Sequence, residues 1–363
     1  MYNGKSGQCF VEVNMGKTLP PQNKGRVPFY GKDTLVELQE KIDALERKGV
    51  LRRPREIGVT VENLNPSFLV KKQTSSDKRM VTDFSSIADY CRPTPTLMPD
   101  CDKTLRMIAS WRYIIPTDLT EAYFQLALRK ASMKYCGIAS PFKGIFVYTA
   151  GAMGLPGTEV ALEELTCLLF GDMVKQGKVA KLADDLLIGG NTVAELLQNF
   201  EEVLGILLEN NIRLSAKKTT IAPLEVMILG WLWRSGCLKA SVHKLSALSE
   251  CEPPSTIKAL RSFLGAYRYL SRVIKNHATL LLPLEAMVIG QPTGKAAGNV
   301  KIQWTEAQLE ALKSAQSALR SPETIVIPCK EDVLQIITDA AVQPTATPHV
   351  CCQREPDASG RFL

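Results

Sequence analysis

RYIIPTDLTEAYFQLAL (112–128) and KVAKLADDLLIGG (178–190) together decide the fold. The first opens as an apolar strand whose run ends at Asp118. The second is two short apolar runs meeting at Asp184 and Asp185, a hairpin with carboxylates at its turn. Between them, GTEVALEELTCLLFGDMV (157–174) has helical spacing, with Leu162, Leu165, Leu168 and Leu169 expected to face inward. TVAELLQNFEEVLGILLENN (192–211) opens with Thr192 and Glu195 at capping-box spacing. It places Leu196, Phe200, Val203, Leu204 and Leu207 on one apolar face. EVMILGWLWRSGCLKA (225–240) reads as an apolar hairpin. Helices between antiparallel strands, all on one side of the sheet, predict an α+β fold with a split βαβ core.

Asp118 ends one strand, and Asp184 and Asp185 sit on a hairpin able to lie beside it. Like charges brought that close in a dry site need cations to hold them together. Two Mg²⁺ ions about 4 Å apart, with Asp118 and one hairpin aspartate bridging them, satisfy that need. Such a pair aligns a primer 3′-hydroxyl and carries charge on leaving pyrophosphate. Hard oxygen ligands with no imidazole nearby favour Mg²⁺, with Mn²⁺ able to substitute. Asp-Asp is also ordinary turn chemistry. The apolar flanks and the upstream Asp118 are what favour the metal reading.

Working outward, residues 1–33 carry little periodicity and read as an extended lead-in. TLVELQEKIDALERKG (34–49) is an amphipathic helix through Leu35, Leu38, Ile42 and Leu45, closed by Gly49. SFLVKK (67–72) and KRMVTDF (78–84) form a hairpin with Lys71, Lys72, Lys78 and Arg79 around its tip, more basic than packing requires. Beyond residue 240 the pattern turns helical. STIKALRSFLGAYRYLSRVIKN (255–276) has a seam of Ile257, Leu260, Leu264, Tyr267, Leu270 and Ile274. Arg261, Arg268, Arg272 and Lys275 fall on its wetter side, a solvated face or one that tracks phosphates. Residues 290–302 are a Gly-rich linker, 304–321 a further helix, and ETIVIPC and VLQIITD strands. The tail after Ala341 carries Pro, Gly and charge, with no element long enough to complete a domain expected there.

With 45% hydrophobic and 22% charged residues among 363, the chain can build several cores and is not a disordered one. A net charge of +7 fits a phosphate-bearing partner but selects none. Ten cysteines and three histidines show no zinc-site spacing, so the thiols read as reduced and structural. No signal sequence or membrane span is apparent, and an intracellular place, cytoplasmic (virus-like particle) or nuclear, is expected.

These stretches resemble the reverse transcriptases of gypsy-type long-terminal-repeat retrotransposons and of retroviruses. TDLTEAYFQLAL resembles their motif A, AGAMGLPGT their motif B and LADDLLIGG their YxDD box. RLSAKKT and EVMILGW resemble the motifs that follow, and the order is kept from about residue 20 to 341. The resemblance implies a right-hand polymerase: fingers over 34–111 with part of 129–150, palm over 112–240, and thumb and connection over 241–300. The start of an RNase H-like domain is implied over 301–341, with an irregular tail over 342–363. It further implies an RNA-directed DNA polymerase acting on an RNA or DNA template with primer and deoxynucleoside triphosphates.

Carried over, Asp118 and Asp185 are the main metal ligands and Asp184 the adjacent carboxylate. Tyr123 matches the aromatic gate against ribose, although a core aromatic has the same pattern. Lys72 and Arg79 match triphosphate-gripping fingers residues, Met153 and Gly154 the nucleotide-pocket segment, and Lys218 a residue that protonates pyrophosphate. Asp83 matches a fingers aspartate with a structural role. Leu229, Gly230 and Trp231 match the primer grip; Arg261, Arg268, Arg272 and Lys275 are expected on the template–primer backbone. Asp339 resembles the first RNase H carboxylate, with only Glu355 and Asp357 after it, so no RNase H activity is expected and the chain reads as part of a polyprotein.

Leu182 stands in place of the YxDD tyrosine, Ala152 in place of a proline, and Gly-Thr-Glu in place of Asn-Ala-Pro. An inactive nucleic-acid-binding remnant is therefore the main rival. A nucleotide cyclase on the same sheet is less favoured, because cyclisation needs no duplex clamp.

Overall fold

In α1 (Lys32–Arg47), Leu38 and Ile42 are fully buried. The helix closes at Gly49 (φ 76°), where Gly49 N donates to Glu46 O at 2.9 Å and Val50 N to Leu45 O at 3.0 Å. This is the paired closure that a left-handed glycine permits. The computed structural model describes residues 1–22, 25, 27–71, 77–95, 100–182, 184–294, 296–322, 325–326, 333–337 and 349–353, the last three segments by backbone alone. The chain divides into two compact units, Met1–Met107 with Tyr113–Ala222, and Ile108–Arg112 with Pro223–Leu363.

The first unit continues with β1 (Leu51–Arg52), α2 (Pro54–Ile57), β2 (Leu64–Asn65), β3 (Ser67–Lys71), β4 (Lys78–Thr82) and α3 (Ser85–Ala88). After α4 (Cys101–Ala109) come β5 (Tyr113–Asp118), α5 (Lys130–Met133), β6 (Gly137–Ser140) and β7 (Gly144–Tyr148). Then follow α6 (Thr158–Lys175), β8 (Val179–Leu182), β9 (Asp185–Gly190) and α7 (Val193–Glu209). β1, β7, β6 and β2 form a small sheet in that order, and β3 pairs with β4. The central sheet is β5-β9-β8, antiparallel throughout. Its row Ile115–Ile188–Val179 is wholly buried in one core with Leu162 and Leu165 of α6 and Leu196, Val203 and Leu207 of α7.

Two helix faces differ from the sequence expectation. Leu168 is 49% and Leu204 40% exposed, while Glu163, Thr166 and Asn199 are buried. Polar partners explain the exchange: Asn199 Nδ2 donates to Gly189 O at 2.8 Å, and Thr166 Oγ1 lies 3.2 Å from Lys181 Nζ. At the start of α7, Thr192 Oγ1 accepts from Glu195 N at 3.1 Å. The return bond goes to Asn191 N (2.8 Å) instead of the cap residue's own amide.

Residues 1–16 are more than a lead-in. Cys9, Val11 and Val13 alternate into the core, and burial of a large apolar side chain contributes roughly 1.5–3 kcal/mol. Val11 N donates to Ala127 O and Arg129 N to Val11 O, both at 2.9 Å. Gly157 lies under this strap at φ 84°, and an added Cβ would collide with the Glu12 carbonyl oxygen. Gly157→Ala is therefore expected to destabilise the unit by more than the roughly 1–2 kcal/mol of a left-handed alanine. Thermal unfolding checks this; an unchanged Tm would show that the strap is loosely held.

The second unit holds β10 (Val226–Ile228), β11 (Trp231–Arg234), β12 (Cys237–Ala240), α8 (Val242–Ser249), α9 (Ile257–Tyr269), α10 (His277–Ala286) and α11 (Glu306–Ala318). β13 (Ile325–Val326) extends the sheet to β10-β11-β12-β13, and β14 (Val333–Ile337) pairs with β15 (His349–Gln353). β15, five residues long, lies within the stretch expected to be irregular. The seam on 257–274 is buried as expected, but the helix stops at Tyr269 and a 3-10 turn over Ser271–Val273 follows. Asn276 (φ 52°) then starts α10, which escaped sequence reading because it is apolar around its circumference and contains Pro283. Among the described residues, no helix is long and apolar enough to cross a membrane.

Candidate active site

Strand register brings the aspartates together. Asp118, the last residue of β5, pairs directly with Asp185, the first of β9, and Leu182 of β8 pairs with Asp185 from the other side. Asp184 lies in the β8–β9 turn, where its carbonyl accepts from Leu119 N at 3.1 Å. One carboxylate oxygen from each aspartate lies within 4.8 Å of the others. Asp118 is 9% exposed.

Among the described residues, one cation answers this charge. Lys218 Nζ sits 2.7 Å from Asp118 Oδ2. Its loop is fastened to the end of β5 and the residue after it: Ser215 N donates to Asp118 O (2.8 Å), Thr117 and Thr219 hydroxyls meet at 2.6 Å, and Leu119 bridges Leu214. Gln125 closes the arrangement, its Nε2 donating to Thr120 O (2.7 Å) and Arg213 O (2.9 Å) while Oε1 accepts from Arg213 N (2.7 Å). Gln125 was not singled out from the sequence; its polar side chain within the apolar run of FQLAL was the available signal. The Lys218 side chain is 66% exposed, so the pair contributes little stability and can open readily.

Burial holds the Asp184 carboxyl above its usual range, and the Asp118 charge adds to this against Asp184's own backbone amide and Lys218. Burial likewise raises Asp185, followed by the charges of Asp184 and Asp118, against Lys218. The hydrogen bond to Asp118 raises Lys218. Three carboxylates facing one lysine leave net negative charge on an all-oxygen donor set, which suits a hard divalent cation. For a carboxyl raised on folding, the stability present at low pH is lost as pH climbs through the folded value. A bound cation reverses that loss, so the Tm gain from millimolar Mn²⁺ is expected to be larger at pH 7.5 than at pH 5. An equal gain at both would place the metal elsewhere.

Tyr123 lies in the 3-10 turn Ala122–Gln125, half-buried against the core. Burial raises its hydroxyl pKa, with the charges of Glu159 and Asp184 adding to it. Met153 is 50% exposed, and Gly154 has φ 78° with open space where a Cβ would stand, so backbone conformation calls for glycine there. Arg79 is exposed on β4 opposite Val70, whereas Lys78 is bound to Glu37 of α1 at 2.5 Å. Lys72 and Asp339 lie outside the described residues. Asp83 Oδ1 accepts from the Ser85 hydroxyl at 2.5 Å and from Ser85 N at 2.9 Å, and these local bonds, the hydroxyl's foremost, lower its pKa.

In the second unit, Leu229 (φ 53°) and Gly230 (φ 78°) make the tight β10–β11 turn. Trp231 is fully buried and packs on Tyr269 with ring centroids 5.9 Å apart, while the Tyr269 hydroxyl donates to Leu229 O. Trp231 therefore supports the turn from beneath. The expected basic helix face is not formed. Arg261 donates to carbonyls of Val288 (3.1 Å) and Gln291 (2.8 Å), and Arg268 pairs with Glu285 at 2.7 Å. Arg272 and Lys275 follow the end of α9 and cannot share its face.

No family model matches the chain. It is similar to the retrovirus-related Pol polyprotein from transposon opus of Drosophila melanogaster, 24% identical over 314 residues, covering 84% of this chain and 30% of that polyprotein. The polyprotein from transposon gypsy of the same fly is 22% identical over 287 residues, covering 76% and 27%. The Gag-Pol polyprotein of woolly monkey sarcoma virus is 24% identical over 274 residues, covering 72% and 16%. Its homologues are Pol polyproteins of retrotransposons and retroviruses. The chain spans less than a third of the length of these Pol relatives. The structure of a foamy viral protease-reverse transcriptase with double-stranded DNA superposes with TM-score 0.77 at 20% identity, covering 97% of this chain and 59% of that one. A second such complex gives 0.72 at 22% identity, covering 94% and 68%. These likenesses place the Pol-like chain in the mixed α+β fold of those proteins.

Proposed function

We propose that the chain is the polymerase region of a reverse transcriptase, adding deoxynucleotides to a primer 3′-hydroxyl on an RNA or DNA template. The observation that carries this reading is the direct pairing of Asp118 with Asp185 beside Asp184, three carboxylates converging within 4.8 Å. In this reading β5-β9-β8 with α6 and α7 is the palm, the β3–β4 hairpin belongs to the fingers, and residues 241–300 form the thumb and connection. Residues 301–341 open an RNase H-like domain.

Asp118 and Asp185, assisted by Asp184, would hold two Mg²⁺ ions. When bound, the ions lower the pKa of the primer hydroxyl and neutralise charge on the triphosphate. Lys218, which pairs with Asp118 here, would give a proton to pyrophosphate. Tyr123 stands against the sugar of the incoming nucleotide, beside Met153 and Gly154. Arg79 offers a bidentate guanidinium to the triphosphate. The Leu229–Gly230 turn, supported by Trp231, is the primer-grip candidate. Arg272 and Lys275, which follow α9, are candidates for contact with the template–primer backbone, whereas Arg261 and Arg268 bind protein groups.

Leu182 supplies no ligand atom, so its replacement of tyrosine leaves the carboxylate set intact. Primer extension on poly(rA)·oligo(dT) with dTTP and Mg²⁺ tests the reading. Extension is expected; tight duplex binding with no extension would instead identify a nucleic-acid-binding remnant.

A further inference from the structure

Lys181 and Glu163 form a buried ion pair between β8 and α6, with side chains 7% and 4% exposed. Lys181 Nζ also lies 3.2 Å from Thr166 Oγ1, one turn along α6. Glu163 Oε2 has no hydrogen-bond partner among the described residues. Such a pair is a poor source of stability, because desolvating two charges offsets much of their attraction, and well-packed apolar side chains would serve the core as well. Its use is better sought in what it orients.

β8 is four residues long and an edge of the sheet β5-β9-β8. A short edge strand held through one neighbour is the element most able to slip, and a one-residue slip turns every side chain to the opposite face. Val179, Ala180 and Lys181 are all buried, so both faces of β8 are covered and apolar burial alone separates the two registers little. An ammonium seated between a carboxylate and a hydroxyl on successive turns of a helix accepts a single register. Lys181 precedes Leu182, the residue paired with Asp185, and Asp184 lies in the turn that follows. α6 begins directly after the Met153–Gly157 segment. The pair thus joins the helix that follows the expected nucleotide pocket to the strand that carries the aspartate turn.

We infer that Lys181 and Glu163 are positioning residues: their buried pair fixes the register of β8 on α6 and so holds Asp184 and Asp185 against Asp118. The inference rests on the polymerase reading for its kinetic effect but not for its effect on metal binding. Lys181 acts through place, not through charge at the cluster: the cation that acts on Asp184 and Asp185 is Lys218.

The test compares the wild-type chain with the double variant Lys181→Met/Glu163→Leu, which removes the ion pair and keeps the volume, so folding is expected to survive. Lys181→Met alone strands a buried carboxylate and serves as the destabilised control. With Tm of the double variant within a few degrees of wild type, kcat for dTTP addition is expected to fall about tenfold while KM for dTTP stays within twofold. Mn²⁺ affinity, followed by electron paramagnetic resonance without nucleic acid, is expected to weaken about fivefold. A double variant with wild-type Tm, kcat and Mn²⁺ affinity would overturn the inference and make the pair core filling. A fall in Tm matched by equal losses in every other measurement would also overturn it. If the wild-type chain extends no primer, the polymerase reading fails, and the Mn²⁺ comparison still decides whether the pair positions the aspartates.

Discussion

Asp185→Asn is expected to extend no measurable primer, a loss of at least about a thousandfold, while leaving the fold intact. The residue sits at the start of β9 directly opposite Asp118, and its carboxylate is one of the three that converge. Asparagine keeps the shape and one acceptor oxygen but removes the charge that a divalent cation needs. At about 1.4 kcal/mol for each factor of ten, a thousandfold loss is about 4 kcal/mol of transition-state stabilisation. Stability is expected to move the other way. Burial and two neighbouring carboxylates raise Asp185, so its ionised form is a cost to the metal-free fold at neutral pH. A neutral asparagine relieves that cost, and Tm without metal should be equal to or above wild type. Single-turnover extension and thermal unfolding of the same preparation check both. An inactive variant that is also unfolded would reduce Asp185 to a structural residue, and an active one would remove it from the site.

Tyr123→Ala is expected to admit ribonucleotides, lowering the preference for dTTP over UTP by about a hundredfold, or about 3 kcal/mol. The ring is half-buried in the turn that follows β5 and lies close enough to Asp184 for that charge to act on its hydroxyl. A side chain so placed can face a sugar held over the carboxylates. Tyr123→Phe retains the ring and is expected to retain the preference, which separates steric exclusion from hydrogen bonding by the hydroxyl. Sugar discrimination unchanged in the alanine variant would make Tyr123 an ordinary core aromatic.

What was legible in the sequence was whatever local pattern determines. Apolar strands ending at Asp118 and meeting at Asp184–Asp185 implied a shared sheet, and the observed register pairs Asp118 with Asp185. The seam from Ile257 to Ile274 was legible for the same reason, even though the helix carrying it breaks. The illegible parts depend on partners distant in sequence. Nothing near Arg261 announces the carbonyls of Val288 and Gln291, and nothing near Arg268 announces Glu285. Helical spacing therefore suggested a basic face where Arg261 and Arg268 are engaged by protein groups. Leu168 and Leu204 were assigned inward because they are leucines, but the inward positions went to Glu163, Thr166 and Asn199, whose partners lie on the sheet. The strap over residues 1–16 was hidden by its glycines and polar residues, although the alternation of Cys9, Val11 and Val13 was there to be read.

Anomalous diffraction from crystals of the chain grown with a template–primer duplex and Mn²⁺ bears most directly on the three aspartates. Peaks about 2.0–2.3 Å from carboxylate oxygens of Asp118 and Asp185, with Lys218 moved off Asp118, are the expected result. Lys218 still seated on Asp118 at saturating Mn²⁺, with no peak near any of the three carboxylates, would contradict it.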